Sequence, residues 1–395
     1  MFRIARRWLA WGRLKALVVP ALVLLCVFLL YFWRLPTLTT GLSPAEDIAI
    51  NASSNLQYIV DNPVNAPLRL VQLAALQLEP DNQLSARAPS VLFMISFVAM
   101  FYLLLRLWFG RLIGLLGTLI LASTPWLVII SRSATPDVLL LAPLAIITLF
   151  LWLTRRTSYR NIAWLGLIVA TGLSLYVPGV LWFVAAAGVY KFRDLRQIAA
   201  TTNIVTRIFS ILILAAILAP LVAASVKSSE IVQDLLLVPD EWQGTVGTLK
   251  SIAWSGLALV WRLPYTTDFT VGRLPLLTIV EIALAAFGSY AMWSKARRTF
   301  YGLAGIVVLS VLIAGLNSRL TLLIPAVMAV CVLAAAGLRY LYIEWNSIFP
   351  RNPLPRGFAV VLMVLVIGTH VLYGLHYALV AWPRSPATSR IYVIE

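Results

Sequence analysis

Charged side chains are scarce in this sequence, at 12% of its 395 residues, whereas hydrophobic residues make up 61%. A soluble protein of this size carries about a quarter of its residues as Asp, Glu, Lys or Arg. The shortage removes the polar coat that a soluble protein needs, and the mean hydropathy of +0.91 agrees. The composition therefore indicates an integral membrane protein.

Cysteine is also rare, and the sequence has no fixed-period repeat and no low-complexity tract. Cys26 and Cys331 both lie in apolar stretches and form neither a Cys-x-x-Cys pair nor a zinc spacing, so we expect them to pack as small hydrophobic residues. The net charge of +16 is typical of a nucleic-acid-binding protein. Here, however, the basic residues stand in short clusters between apolar runs, which is how membrane topology is encoded. We therefore expect no nucleic-acid partner.

Apolar runs of roughly spanning length predict about eleven transmembrane helices. The runs lie near 15–33, 88–107, 112–130, 137–153, 162–177, 179–192, 204–225, 274–293, 301–317, 320–342 and 357–381. The first run follows a basic N-terminal cluster and shows no clear cleavage site, so we expect a retained helix rather than a signal peptide.

The distribution of Lys and Arg predicts the orientation. With the N-terminus in the cytoplasm, 20 of the 31 basic residues fall on the cytoplasmic side and twelve of the 15 acidic residues fall outside. The basic N-terminal cluster consists of Arg3, Arg6, Arg7, Arg13 and Lys15. An excess of Lys and Arg on the cytoplasmic side is the rule for membrane proteins. We predict a multi-pass protein of the cytoplasmic or inner membrane, with its C-terminus outside.

Residues 1–395 are predicted to form a single all-α transmembrane domain without a soluble domain. Within it, residues 15–225 make one module that includes the outer loop 34–87, residues 226–273 make a second outer segment, and residues 274–395 make the C-terminal spans. Both outer segments mix apolar and polar residues at helical spacing. We expect amphipathic helices on the outer membrane surface there.

The first outer segment begins with the letters GLSPAED at residues 41–47. Ser43 is a suitable N-cap, proline follows at the first helical position, and Glu46 closes a capping box three residues on. Capping explains Ser43 and Glu46 but leaves Asp47 unexplained on the polar side of the helix. Asp47 is therefore a candidate functional acid.

The second outer corner reads SRSATPD at residues 131–137. Asp137 begins a helix, where the macrodipole stabilises a carboxylate, and a functional role is an equal alternative. Arg87 and Arg132 lie at the outer ends of two spans, and snorkelling to headgroups accounts for both. Arginines beside carboxylates are also what an enzyme acting on lipid phosphates needs. Both interpretations stay open.

Six short motifs occur in a fixed order in the first half of the chain. They are GLSPAE at 41–46, NAPL at 65–68, ARAPS at 86–90, FGRLIGLL at 109–116, STPW at 123–126 and SRSATPD at 131–137. Together they resemble the GT-C glycosyltransferases, which use polyprenyl-phosphate sugars and include protein O-mannosyltransferases and lipid A aminoarabinose transferases. The resemblance covers about residues 15–190 well. It is weaker later, where NSR at 317–319 and LIPA at 323–326 are similar to a late family span.

The resemblance implies a polytopic helical bundle with its site at the outer bilayer surface, under the first outer segment. The donor would be a sugar on an undecaprenyl- or dolichyl-type phosphate, and the acceptor a hydroxyl of a glycan, lipid or protein. An acid would act as general base and cationic side chains would receive the departing phosphate, with inversion at the sugar. No cofactor is implied, and a divalent metal is left open.

The resemblance also implies site residues. Glu46 or Asp47 would be the base, with Asp137 in support. The substrate-binding candidates are Arg87, Arg132 and Asn65, followed by Arg262, Arg273 and Arg319. By direct alignment Ala45 stands where the family has the Asp of an Asp-Glu pair, and Asp47 comes one position late, about 100° further round the helix. The choice of base therefore stays open.

A lipid-linked-saccharide flippase is the main alternative. A transporter concentrates polar groups near mid-bilayer and often has paired repeats. Here the polar residues gather at the outer surface, and Glu281 is nearly alone inside a predicted span, where an ionisable residue suggests function. This distribution favours the enzyme. A non-catalytic relative is the third alternative, because of Ala45.

Overall fold

A computed structural model describes residues 18–392 except 19, 40, 80–81, 156–158, 240–243 and 351. The described residues form helices and connecting turns, with no strand among them, which confirms the predicted all-α class. The basic N-terminal cluster, and with it Arg156 and Arg351 of the predicted cytoplasmic side, lies outside the described residues.

The helices are numbered in chain order. The first part contains α1 (Pro20–Phe32), α2 (Pro44–Asn51), α3 (Leu56–Asp61), α4 (Ala66–Leu78), α5 (Gln83–Phe109), α6 (Arg111–Ser123) and α7 (Pro125–Ser131). A 3₁₀ turn at Pro136–Leu141 leads into α8 (Ala142–Arg155), α9 (Arg160–Ser174), α10 (Val180–Tyr190), α11 (Phe192–Thr201), α12 (Ile204–Lys227) and α13 (Ser229–Leu236). The last part contains α14 (Gly244–Val260), α15 (Ile279–Lys295), α16 (Arg297–Asn317), a 3₁₀ turn at Leu320–Leu323, α17 (Ile324–Ile348), α18 (Pro353–His376), a π turn at Tyr377–Ala381 and α19 (Pro386–Ile391).

Each predicted apolar run overlaps a helix. Among the described residues, six helical stretches are long and apolar enough to cross a membrane, and α6 and α7 make a seventh if they form one span bent by 66°. The other runs correspond to α1, α9, α10 and α15, which are shorter than 18 residues. The chain is therefore a multi-pass membrane protein, while the count of eleven spans stays a prediction.

The outer segments contain the short helices that amphipathic spacing predicts. The first forms α2, α3 and α4, and the second forms α13 and the longer α14, which packs against α16. The predicted capping box at the start of α2 is confirmed. The backbone N–H of Ser43 donates to Oε2 of Glu46 at 3.0 Å, and the N–H of Glu46 donates to Oγ of Ser43 at 3.2 Å.

Helix α17 is the centre of the bundle, and every residue from Ile324 to Leu338 is buried. It packs most closely against α15, where two glycines allow the backbones to touch. A Cβ on Gly337 would stand 1.9 Å from the carbonyl oxygen of Leu284, and one on Gly288 would stand 1.8 Å from that of Leu333. Small residues at a crossing are typical of membrane helices, where close backbone packing replaces the hydrophobic effect.

Glu281 does not lie in the middle of a span as expected. Helix α15 begins at Ile279, so Glu281 is in its first turn and closes a capping box with Thr278. Its buried carboxylate accepts a hydrogen bond from the hydroxyl of Thr124, at the break between α6 and α7, and lies 3.8 Å from Nε2 of His370. These contacts give Glu281 a structural explanation, because they join three helices at the bend.

Replacing Gly337 by alanine should destabilise the bundle. The added methyl group overlaps the backbone of α15, and overpacking of this kind costs about 1–3 kcal/mol. We expect the melting temperature of the purified protein in detergent to fall by several degrees. Gly305→Ala on α16 is the matched control, because nothing lies within 4 Å of a Cβ there. Equal melting temperatures for the two variants would contradict the close crossing.

Candidate functional site

A buried ion pair joins the first outer segment to the start of α5. Nε of Arg87 donates to Oε1 of Glu46 at 2.8 Å, and Nη2 donates to Oε2 at 2.9 Å. The side chains are 4% and 1% exposed. This fork-on-carboxylate geometry is the strongest form of such a pair, because two parallel charged hydrogen bonds share one plane.

The Glu46 carboxylate is fully occupied. Besides the two bonds from Arg87, Oε1 accepts the backbone N–H of Ala134 at 2.9 Å, and Oε2 accepts that of Ser43 at 3.0 Å. Each oxygen therefore receives two hydrogen bonds, which uses the acceptor capacity of a carboxylate. A base needs a free lone pair that can reach the substrate proton. The contacts of Glu46 therefore favour a structural role, and its role as base stays a prediction.

Arg87 is equally committed to the protein. Its Nη2 also donates to the carbonyl oxygen of Gly41 at 2.9 Å, and its Nη1 donates to that of Leu35 at 3.2 Å, with a longer contact to Gln83. These contacts connect helix α5 to the segment that follows α1. We infer that Arg87 organises the site rather than binding phosphate with free N–H groups.

Gln72 connects α4 to the segments around Ala86 and Ala134, beside the ion pair. Its amide nitrogen donates to the carbonyl oxygens of Ala86 and Ala134 at 2.8 and 3.0 Å, and its amide oxygen accepts from Ser53 at 2.8 Å. The sequence analysis missed this residue. Its position, four residues from buried leucines on either side in α4, was the available signal, because a polar side chain on a core face needs partners.

Arg132 differs from Arg87 in having a donor to spare. Its Nη1 donates to the carbonyl oxygens of Leu30 and Tyr31, and its Nη2 to that of Trp33, so the guanidinium caps the end of α1. Its Nε is buried and has no hydrogen-bond partner among the described residues. Burial, with repulsion from Arg87, lowers the pKa of Arg132 to about 10, so the group is still charged at neutral pH.

A cleft opens beside these residues. Its lining consists of Leu35, Leu38, Thr39, Glu46, Arg87, Arg132, Ser133, Trp382 and Tyr392. The last two come from the segment after α18, and sequence analysis gave no signal for either. The ring of Tyr392 lies under the Arg87 guanidinium, 5.9 Å from ring centroid to Cζ, and its hydroxyl bonds to Ser43. Burial raises the pKa of Tyr392, so its hydroxyl is neutral and can donate.

Two other predicted site residues, Asp137 and Arg319, lie close to each other near the cleft. Asp137 is half-buried and faces the hydroxyls of Thr135 and Thr321 and the guanidinium of Arg319. Thr135 in turn bonds to Ser133 of the cleft at 2.7 Å, so only a short polar chain separates the two places. The structure thus brings together two residues that the sequence analysis had singled out separately.

The remaining candidates are not among the described residues that line the cleft. Asp47 is exposed on α2, and Arg262 and Arg273 are exposed in the loop between α14 and α15. Asn65 is buried in the left-handed conformation, with φ 59°, and its N–H donates to the carbonyl oxygen of Tyr176 at 2.8 Å. That contact explains Asn65 as a turn residue before α4, since asparagine tolerates this conformation.

No group of three or more His, Cys, Asp or Glu side chains that could hold a metal ion occurs among the described residues. The prediction of no cofactor, with a divalent metal left open, is not tested by this observation.

Comparison with known proteins bears on the fold. The sequence profile of the family described as "Dolichyl-phosphate-mannose-protein mannosyltransferase" matches residues 67–228. ArnT from Cupriavidus metallidurans, in the apo state, superposes with a TM-score of 0.56 at 14% identity, over 97% of this chain and 77% of that chain. The chain has the fold of the GT-C glycosyltransferases. The predicted resemblance to this superfamily is confirmed.

Two further structures share this GT-C fold. ArnT from the same organism bound to undecaprenyl phosphate gives a TM-score of 0.56 at 14% identity, over 94% of this chain and 76% of that chain. The oligosaccharyltransferase AglB from Archaeoglobus fulgidus, in complex with an inhibitory peptide and a dolichol-phosphate, gives 0.52 at 12% identity, over 91% and 56%. The chain thus spans little more than half of the archaeal enzyme. A comparison with curated protein sequences finds no match.

Breaking the Glu46–Arg87 pair should destabilise the protein strongly. Removing one partner leaves an uncompensated buried charge, which costs about 3–5 kcal/mol. We expect Glu46→Gln and Arg87→Gln each to lower the melting temperature, and the double variant Glu46→Gln/Arg87→Gln to recover part of the loss.

Asp194→Asn is the matched control. Its ion pair with Lys191 joins side chains that are 49% and 39% exposed, and surface pairs contribute at most about 1 kcal/mol. Additive losses in the double variant would show that the pair carries no coupling energy.

Proposed function

We propose that this protein is a glycosyltransferase that moves a sugar from a polyprenyl-phosphate donor to an acceptor hydroxyl at the outer face of the membrane. The donor phosphate would sit in the cleft against Arg132 and Ser133, with the polyprenyl chain between helices. The cleft would face outward, as the Lys and Arg distribution predicts for a protein of the cytoplasmic or inner membrane. The fold and the family match support this reaction class.

The spare Nε of Arg132 carries the proposal. A buried cationic donor without a partner has a desolvation cost that an anionic ligand offsets, since unmade hydrogen bonds of charged groups are expensive. Neighbouring Ser133 also lines the cleft, and its hydroxyl is held by Ile130 and Thr135 at 2.8 and 2.7 Å. Nε is enclosed by protein in this structure, so a phosphate oxygen in the cleft would complete its hydrogen bonding only after a shift of the Arg132 side chain. The positive charge of Arg132 would stabilise the negative charge that develops as the sugar leaves.

The transfer also needs a group that accepts the proton of the acceptor hydroxyl. Glu46 offers no free lone pair, and Asp47 is exposed outside the described lining of the cleft. Asp137 faces Arg319 outside the described lining of the cleft. Its role there would be to position the 131–137 segment or an acceptor. Attack by the activated hydroxyl on the side opposite the phosphate would invert the sugar's configuration.

Purified protein in liposomes should consume at least one member of a panel of radiolabelled undecaprenyl-phosphate sugars when envelope extract supplies the acceptor. Arg132→Gln should bind undecaprenyl phosphate about 10- to 100-fold more weakly, because it loses a charged hydrogen bond and the charge. Native mass spectrometry measures this binding. Lys227→Gln, exposed at the end of α12, is the charge-matched control.

Two results would contradict the proposal. Labelled lipid that crosses the bilayer without loss of its sugar would favour a flippase. Binding of undecaprenyl phosphate that is equal in wild type and Arg132→Gln would remove the cleft as the donor site.

A further inference from the structure

The loop between α14 and α15 brings an acidic residue next to the cleft. This loop is held by backbone hydrogen bonds at both ends, from Leu263 to Arg273 at 3.1 Å and from Leu276 to Ala258 at 3.0 Å. In the middle, the backbone N–H of Val271 donates to the hydroxyl of Tyr377 at 2.8 Å. The loop is therefore ordered against the segment that follows α18.

Asp268 lies at the point where this loop meets the cleft. Nε1 of Trp382, a lining residue, donates to the backbone carbonyl oxygen of Asp268 at 2.8 Å. The Asp268 carboxylate is close enough to interact electrostatically with Glu46 and with Tyr392, which both line the cleft. The hydrogen bond from Trp382 and the electrostatic interactions with Glu46 and Tyr392 put Asp268 next to three lining residues, although Asp268 is not itself part of the lining.

The Asp268 carboxylate is available in a way that Glu46 is not. It is half-buried, and no ion pair among the described residues involves it. The side chain accepts the N–H of its own residue, which leaves most of its acceptor capacity unused. Burial, with repulsion from Glu46, raises the pKa of Asp268 above its ordinary value near 4. A carboxylate with a raised pKa holds a transferred proton better, as a general base requires.

We infer that Asp268 is the catalytic base of the sugar transfer, an inference that rests on the proposed function. Its carboxylate oxygen takes the proton of the acceptor hydroxyl as that oxygen bonds to the anomeric carbon. The bond between this carbon and the phosphate oxygen breaks, and its electron pair leaves with the polyprenyl phosphate beside Arg132. The proton goes to Asp268, the leaving group stays beside Arg132, and no further reactant is needed.

The decisive experiment compares Asp268→Asn with wild type in the liposome assay, using whichever undecaprenyl-phosphate sugar the wild type consumes. Transfer should fall at least 100-fold, since a positioned base contributes about 10²–10⁴-fold. Binding of undecaprenyl phosphate should stay within about twofold, because Asp268 does not hold the donor. The melting temperature should also hold, since the anchor to Trp382 uses the backbone and not the side chain. Asp61→Asn, exposed on α3, is the matched control.

The pH profile separates a base from a structural residue. The wild-type rate should rise with pH as Asp268 loses its proton. The midpoint of this rise should lie above pH 4, the ordinary pKa of an aspartate, because the pKa of Asp268 is raised. Glu46→Gln removes the repelling charge and should move this rise to lower pH in whatever fraction of the variant folds. Asp268→Glu should keep part of the activity and the rise, whereas Asp268→Asn should lose the rise.

Three results would overturn the inference. Wild-type transfer by Asp268→Asn removes Asp268 as the base and leaves the proposed function standing. Loss of transfer in Asp47→Asn, with Asp268→Asn unaffected, assigns the base to α2 instead. A wild type that binds undecaprenyl phosphate but consumes no donor sugar overturns both the inference and the proposed function.

Discussion

The buried pair of Glu46 and Arg87 fixes how three distant segments of the chain meet. Glu46 closes the first turn of α2, Arg87 belongs to α5, and the N–H of Ala134 brings in the corner before the Pro136–Leu141 turn. A pair of this kind is costly to desolvate, and only complete hydrogen bonding offsets that cost. Every acceptor site on the carboxylate is accordingly used. These bonds fix the positions of Glu46 and Arg87, which both line the cleft.

Around this saturated pair the structure leaves a small number of unsatisfied groups. Nε of Arg132 lacks a partner, and the carboxylate of Asp268 carries a charge without an ion pair among the described residues. Nε of Arg160 and Nε of Arg207 also lack partners elsewhere among the described residues, so it is the position of Arg132 and Asp268 at or beside the cleft that suits them to a ligand. The signs match the proposed chemistry, because the cation would meet a phosphate and the anion a proton.

The sequence was sufficient for the features that are local. Long apolar runs predicted the helices because burial in lipid requires length and composition alone, and Ser43 with Glu46 predicted a cap because both partners lie within one turn. Gln72, Trp382, Tyr392 and Asp268 escaped because their importance depends on contacts between segments that no local pattern records. Arg87 and Arg132 looked alike in sequence, and only their hydrogen-bond partners distinguish an organising arginine from one with a donor to spare.

Glu281 is the opposite case, a residue that the sequence suggested as functional and the structure explains by its contacts. An apolar run that starts before its helix made the residue look like an isolated charge in lipid, whereas the helix begins at Ile279 and the carboxylate serves as a cap and a link to Thr124. Hydropathy cannot place the first turn of a helix inside a continuous apolar run. The position of Glu281 along its helix was therefore misjudged.

The wall that Trp382 and Tyr392 provide has a consequence for biosynthesis. A ribosome makes the chain from its N-terminus, so Glu46, Arg87 and Arg132 enter the membrane well before residues 382–392 exist. The hydrogen-bond partners of Arg87 and Arg132 precede them in the chain, so both guanidinium groups can be held before α18 is made. The wall formed by Trp382 and Tyr392 is added last. The cleft can therefore take its final lining only after nearly the whole chain has been synthesised.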